Sequence, residues 1–111
     1  MNVSFVEREL TIDGNTHILA FSIDEAFALG DRVIVLFDPN GSPELGERMS
    51  NLIAVTGDGS TVWEAKLPTN FSGDRYYRIA SRDPLVAYSN RSFDCTIDSN
   101  SGQIISKTFY K

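Results

Sequence analysis

A chain of 111 residues that is 41% hydrophobic and 23% charged can bury one core and is too apolar to stay disordered. Its formal net charge of −5 opposes sequence-independent binding to nucleic acid or to an anionic bilayer. One cysteine, Cys95, excludes an internal disulfide framework and a thiolate metal cluster, and no apolar run nears the roughly 20 residues of a membrane-spanning helix.

These bounds predict a single domain over residues 1–111, with no nucleic-acid or membrane partner. The N-terminal stretch MNVSFVEREL carries acidic residues early and lacks the apolar segment of a secretory signal, so a cytoplasmic location is expected. On that expectation the sequons at Asn2, Asn70 and Asn90 are chance matches.

Alternation of apolar residues dominates the chain. VSFVERELTI reads as a strand, and Asp13-Gly14-Asn15-Thr16 as the turn after it, because Asp-Gly reaches positive φ at little steric cost. In HILAFSI, Leu19, Phe21 and Ile23 share a parity, which gives a strand with one buried face. SIDEAFALG places Ser22 and Glu25 in capping-box spacing with Gly30 as a stop; one or two helical turns or a loop are both compatible with it.

Residues 33–37 in DRVIVLFDPNG are apolar without alternation, the pattern of a strand covered on both faces, so this strand is placed centrally. Asp38-Pro39-Asn40-Gly41 ends it. Residues 38–50 are the richest in helix and strand breakers and read as a mobile loop, with a helical turn from Pro43 as an option. NLIAVTGDGSTVWEAKLP then gives a hairpin in which Trp63 alternates with Ala65 and Leu67 and belongs to the core. RYYRIAS, LVAYS, SFDCTI and QIISKTFY complete about nine strands. The fold expected is all-β: an antiparallel meander forming a small sandwich or a partly rolled sheet.

Glycine-bearing turns recur at Gly14, Gly59 and Gly102, 45 and 43 residues apart, close to the roughly 40–45 residues of a propeller blade. The apolar phase after each turn drifts by one residue, so the units are loose copies. LIAVTGDGSTVWEAKLP resembles the strand–turn–strand unit of quinoprotein-type β-propeller repeats, and FDCTIDSNSGQIISKTF is similar to it with Ile105 or Ser106 in place of the tryptophan. DRVIVLFDP followed by the Trp63 hairpin is also similar to small stand-alone bacterial proteins of no established function. What the resemblance implies is a set of blade-like hairpins that do not close into a propeller, since closed propellers use four or more blades. The adjacent cysteine pair and second tryptophan of quinone-cofactor sites are missing, so no cofactor is expected.

The residue types that carry chemistry are sparse. His17, the sole histidine, stands at a strand's start beside the core, without a nucleophile and orienting partner legible around it. Cys95 falls at the centre of a strand with no adjacent histidine or lysine, as an inert core thiol would. Asp98-Ser99-Asn100-Ser101-Gly102 has glycine one place too early for a calcium loop and reads as a hairpin turn held by Asx hydrogen bonds. No metal site is expected.

The strongest local signal is GDRYYRIASRD. It sets Arg75, Arg78 and Arg82 beside Tyr76 and Tyr77 on an acidic chain, and arginine and tyrosine are favoured at protein interfaces. Strict alternation would place Tyr76, Arg78 and Ala80 on one side and Arg75, Tyr77 and Ile79 on the other. The reading is a non-enzymatic protein-interaction module, immunity-like or accessory, of a bacterial cell, with these five Arg and Tyr residues contacting the partner. Two alternatives stand beside it. One is a small-ligand site at the sheet ends near residues 38–50 and 68–75; the other is a hydrolase whose carboxylates, drawn from Asp38, Asp58, Asp94 and Asp98, converge in three dimensions.

Overall fold

The computed structural model describes residues 1–40, 50–71 and 73–109. Eleven strands form among them, and no helix: β1 Val3–Val6, β2 Glu9–Ile12, β3 Asn15–Ile18, β4 Ile23–Leu29, β5 Arg32–Phe37, β6 Leu52–Val55, β7 Thr61–Glu64, β8 Tyr76–Ser81, β9 Leu85–Ser89, β10 Phe93–Ile97 and β11 Ile104–Phe109. They pair in chain order as three antiparallel sheets, β1–β3, β4–β7 and β8–β11. None closes into a barrel or a propeller, and the all-β antiparallel meander expected from the sequence is the fold.

The sheets stack as layers because the middle one is apolar on both faces. Val33, Val35 and Phe37 of β5 join Ile53 and Val55 of β6 in a cluster with Leu10 and Ile12 of the first sheet. Ile34 and Leu36 point the other way, into a cluster with Trp63 and with Tyr76, Leu85, Ala87, Cys95 and Ile97 of the third sheet. The unalternating run 33–37 is therefore the inner strand, with Val35 fully buried. The radius of gyration, 13.1 Å, matches the ~13 Å of a packed domain of this size.

Local expectations fail at three places, each for a physical reason. VSFVERELTI is a hairpin, turned at Glu7 with φ of 54°, and no Gly, Asn or Pro marks that turn. HILAFSI is divided: β3 ends at Ile18, residues 19–22 form a link, and Ile23 opens β4. Leu19 and Phe21 still pack on the core, Phe21 edge-on to Phe37 with ring centroids 5.4 Å apart. SIDEAFALG is neither helix nor loop but β4 itself, paired with β5 through a bulge between Ile23 and Glu25. The bulge moves the buried residues to opposite faces, Ile23 toward the first sheet and Phe27 toward the third. Apolar residues four apart then imitate a helical period. The option of a helical turn from Pro43, and most of the loop expected over 38–50, lie outside the described residues.

Turn chemistry is as the sequence implies. Asp38, Asp58 and Asp98 each accept the backbone N–H two residues on, at 2.8, 3.1 and 2.9 Å, and the DSNSG stretch is a hairpin turn between β10 and β11.

Candidate functional site: the arginine–tyrosine edge of the third sheet

The segment carrying Arg75, Tyr76, Tyr77, Arg78 and Arg82 enters β8, an edge strand of the third sheet. Its pairing with β9 is interrupted twice, between Tyr76 and Arg78 and between Ile79 and Ser81. The first bulge breaks the strict alternation expected above. Tyr76 and Ile79 point into the core, whereas Tyr77 and Arg78 both stand exposed on the outer surface.

Two of the five candidate residues are thereby structural. Tyr76 is fully buried, and its hydroxyl donates to the carbonyl of Lys66. Burial, with Cys95 and Asp74 nearby, pushes its phenol well above the ordinary tyrosine value. Arg75 is 8% exposed and donates to the carbonyl of Asp74 at 2.7 Å. Asp74, wholly buried, accepts from Thr69 N at 3.1 Å, Thr69 Oγ1 at 2.6 Å and Ser89 Oγ at 2.7 Å. A buried carboxylate needs such donors, so this cluster locks the entry to β8.

The remaining three face outward. Arg78 lies over the ring of Tyr88, 5.4 Å from its centroid, and Tyr77 approaches the same ring at 6.3 Å. Tyr77, Arg78 and Tyr88 thus make one aromatic–cationic patch on the outer layer of the stack. Arg82 instead covers Phe27 of β4 at 4.6 Å and ties the third sheet to the second.

Asn51 is the residue that sequence reasoning missed. Its buried carboxamide donates to the carbonyls of Phe37 and Tyr76, at 3.0 and 2.5 Å, and accepts from Tyr76 N at 2.9 Å. A side chain here plays the part of a neighbouring strand. The start of β8 is closed to backbone pairing even though β8 is an edge. The only signal was a polar residue directly before an apolar run, which marks most strand beginnings.

Near the expected ligand site, the segment 66–70 runs between two depressions. One, of about 320 Å³, is lined by Ser50, Ala65, Thr69 and Phe71 among others. The second, of about 450 Å³, lies between residues 66–70 and 104–107 and includes Lys66 and Lys107.

The other candidates are placed apart from the patch. Trp63 is buried, with Nε1 donating to the carbonyl of Ser99 at 3.0 Å. Cys95 is fully buried, and burial pushes its thiol up, away from the reactive thiolate. His17 is half-buried against Gly59. Asp24 is raised by burial and by the neighbouring Asp38 charge, whereas Asp58 is held down by hydrogen bonds from Thr56 and Ser60. Among the described residues no three His, Cys, Asp or Glu side chains gather into a metal-holding group, and no helix is long and apolar enough to cross a membrane.

No curated protein and no solved structure matches this chain. A family model does, over residues 1–109, and the chain belongs to the family described as a domain of unknown function, DUF7957.

Proposed function

We propose that this protein is a non-enzymatic interaction module that binds another protein through the outer surface of its third sheet, at Tyr77, Arg78 and Tyr88. The observation that carries the reading is the stacking of Arg78 on Tyr88 beside an exposed Tyr77, on an edge strand of an outermost layer. Such a patch offers large rigid area with directional donors, the chemistry enriched at interface hot spots. The alternation argument for pairing Tyr76 with Arg78 is replaced by this triplet. Because Asn51 takes up the backbone N–H and carbonyl of Tyr76 at the start of β8, the partner is engaged by side chains and not by an added strand.

Within the same proposal the protein is an immunity-like or accessory component of a bacterial cytoplasm, built from blade-like units. In support of the last point, the ring of His17 rests on the Gly59 turn of the next sheet, and the ring of Trp63 on the Gly102 turn of the sheet after. A small-ligand role has one observation of its own, the pair of depressions beside residues 66–70.

The test is affinity capture from native cell extract with mass spectrometry, comparing the wild-type chain with Tyr77→Ala/Arg78→Ala. The double variant should lose its partner by about tenfold or more while melting within a few degrees of wild type, since both side chains are exposed. Full retention of the partner by the folded variant defeats the assignment.

A further inference from the structure

The third sheet has a second edge, and it differs from the first. Among the described residues β11 is hydrogen-bonded only to β10, and no backbone hydrogen bond joins residues 104–109 to the facing segment 66–70. That segment forms the far wall of a groove of about 450 Å³, inside the range of roughly 300–1,000 Å³ used by ligand sites. It is anchored at one end by Lys66 N donating to the carbonyl of Gly102 at 2.9 Å. Lys107 Nζ adds a tie to the carbonyl of Pro68 at 2.8 Å. These two bonds fix the walls relative to each other, with the Lys107 side chain reaching across between them and its Nζ also 5.1 Å from the centroid of the Phe93 ring.

Its chemistry is one-sided. Among the described residues the ionisable groups lining it are Lys66 and Lys107, on a protein with net charge −5, and neither is paired there with a carboxylate. Ile105 and Phe109, 66% and 60% exposed, supply apolar surface along the same edge. We propose that β11 and this groove bind an acidic, extended peptide segment of a partner protein by strand addition. The partner's backbone pairs with the free edge of β11, its carboxylates meet Lys66 and Lys107, and its apolar side chains cover Ile105. The two lysines discourage pairing with edges of like charge. The site is separate from Tyr77, Arg78 and Tyr88, so either can fail while the other stands.

The probe is a fluorescent peptide with blocked ends in which glutamate alternates with valine, titrated against the full chain. Three companions complete the experiment: the same peptide with every second backbone nitrogen methylated, a lysine–valine counterpart, and the Lys66→Glu protein. The glutamate peptide should bind and protect amides of residues 104–109 from hydrogen exchange. Its affinity should fall by about tenfold or more with Lys66→Glu, and again between about 50 and 500 mM salt. Backbone methylation should abolish binding with the protein untouched, which separates strand pairing from simple charge attraction. Equal binding of the methylated or lysine peptide, indifference to Lys66→Glu, or no binding below about 1 mM would each overturn the proposal.

Discussion

The middle sheet is covered on its two faces in different ways. Toward the first sheet the contact is almost wholly apolar: Leu10 and Ile12 meet Val33, Val35, Phe37, Ile53 and Val55. The ring at that junction, His17, lies against Gly59, and its Nε2 is buried with no hydrogen-bond partner among the described residues. Toward the third sheet, apolar burial is joined by directional bonds. Trp63 lies on Gly102 and donates to Ser99, Arg32 donates to the carbonyls of Ser99 and Asn100 at 3.2 and 2.8 Å, and Asn51 clasps Tyr76. Hydrophobic burial is non-directional and decides which faces meet; hydrogen bonds across a junction decide where they meet. The first junction is therefore held by area and a backbone bond, from Ile23 N to the Glu7 carbonyl at 2.7 Å, and the second by area and several side-chain bonds together.

The largest break in that comparison is Trp63→Ala. It removes the ring that joins the two sheets and leaves a cavity, at an expected cost of about 3–5 kcal/mol out of a total near 5–15. Urea unfolding measures it directly. His17→Ala at the other junction should lower stability by a clearly smaller amount, and equal losses would mean that the two junctions are energetically alike.

Asn51→Ala comes next. It leaves Phe37 O, Tyr76 N and Tyr76 O without their partner, and each buried orphan costs about 1–3 kcal/mol before relaxation or water entry. A net loss of about 2–4 kcal/mol is expected, with faster amide exchange concentrated in β8. A loss below about 0.5 kcal/mol would show that β8 is positioned by packing alone.

A glycine series sharpens the comparison further. Gly14, Gly59 and Gly102 all adopt positive φ, at 86°, 86° and 77°, so alanine is strained at each. The surroundings then separate them. A methyl at Gly14 meets nothing, and at Gly59 it meets the movable His17 ring at 2.7 Å. At Gly102 it meets the wedged Trp63 ring at 2.7 Å and the Glu64 carbonyl at 3.1 Å. The expected losses rise in that order, from about 1 kcal/mol at Gly14 to about 3 at Gly102. Any other order contradicts the assignment of the tighter junction.

How much of this was legible beforehand follows from which interactions are local in the chain. The unbroken run 33–37 announced a strand covered on both sides, and the Asx-held hairpin turn at Asp98 followed from its Asp, Asn and Gly residues. Side-chain phase was not legible where bulges reset it. The bulge beside Asp24 made β4 resemble a helix, and the one beside Tyr77 transferred Arg78 from Tyr76's face to Tyr77's. Non-local pairings left no trace: nothing near Asn51 in sequence indicates that it bonds Tyr76, 25 residues on. Two of the three patch residues, Tyr77 and Arg78, were therefore visible as composition, and the geometry was not.

The weaker junction also predicts a gain. His17→Phe keeps a ring of similar shape on Gly59 and deletes a buried, unpartnered nitrogen, so it should be neutral or stabilising by up to about 1 kcal/mol. Trp63→Phe at the stronger junction should instead lose stability, because it deletes the bond to Ser99 as well as ring area. Opposite signs for the two phenylalanine variants are the outcome that the comparison requires.

The smallest expected effect lies at the turn beneath His17. Asp58 accepts from the Thr56 hydroxyl and from Ser60 N, and these bonds hold its carboxyl below the ordinary value of 3.8. A carboxyl whose value is lowered by folding contributes stability above the unfolded value and loses it as pH falls through the folded one. Asp58→Asn keeps an acceptor for Ser60 and removes the titration. Wild type should therefore exceed the variant by a constant small margin from neutral pH down to the ordinary carboxylate range, and the margin should close below it. Because the cause is a set of short-range hydrogen bonds and not a distant charge, added salt should leave the margin nearly intact. A margin that widens in acid reverses the sign of the linkage, and one that vanishes with salt assigns the effect to long-range charge instead of the turn.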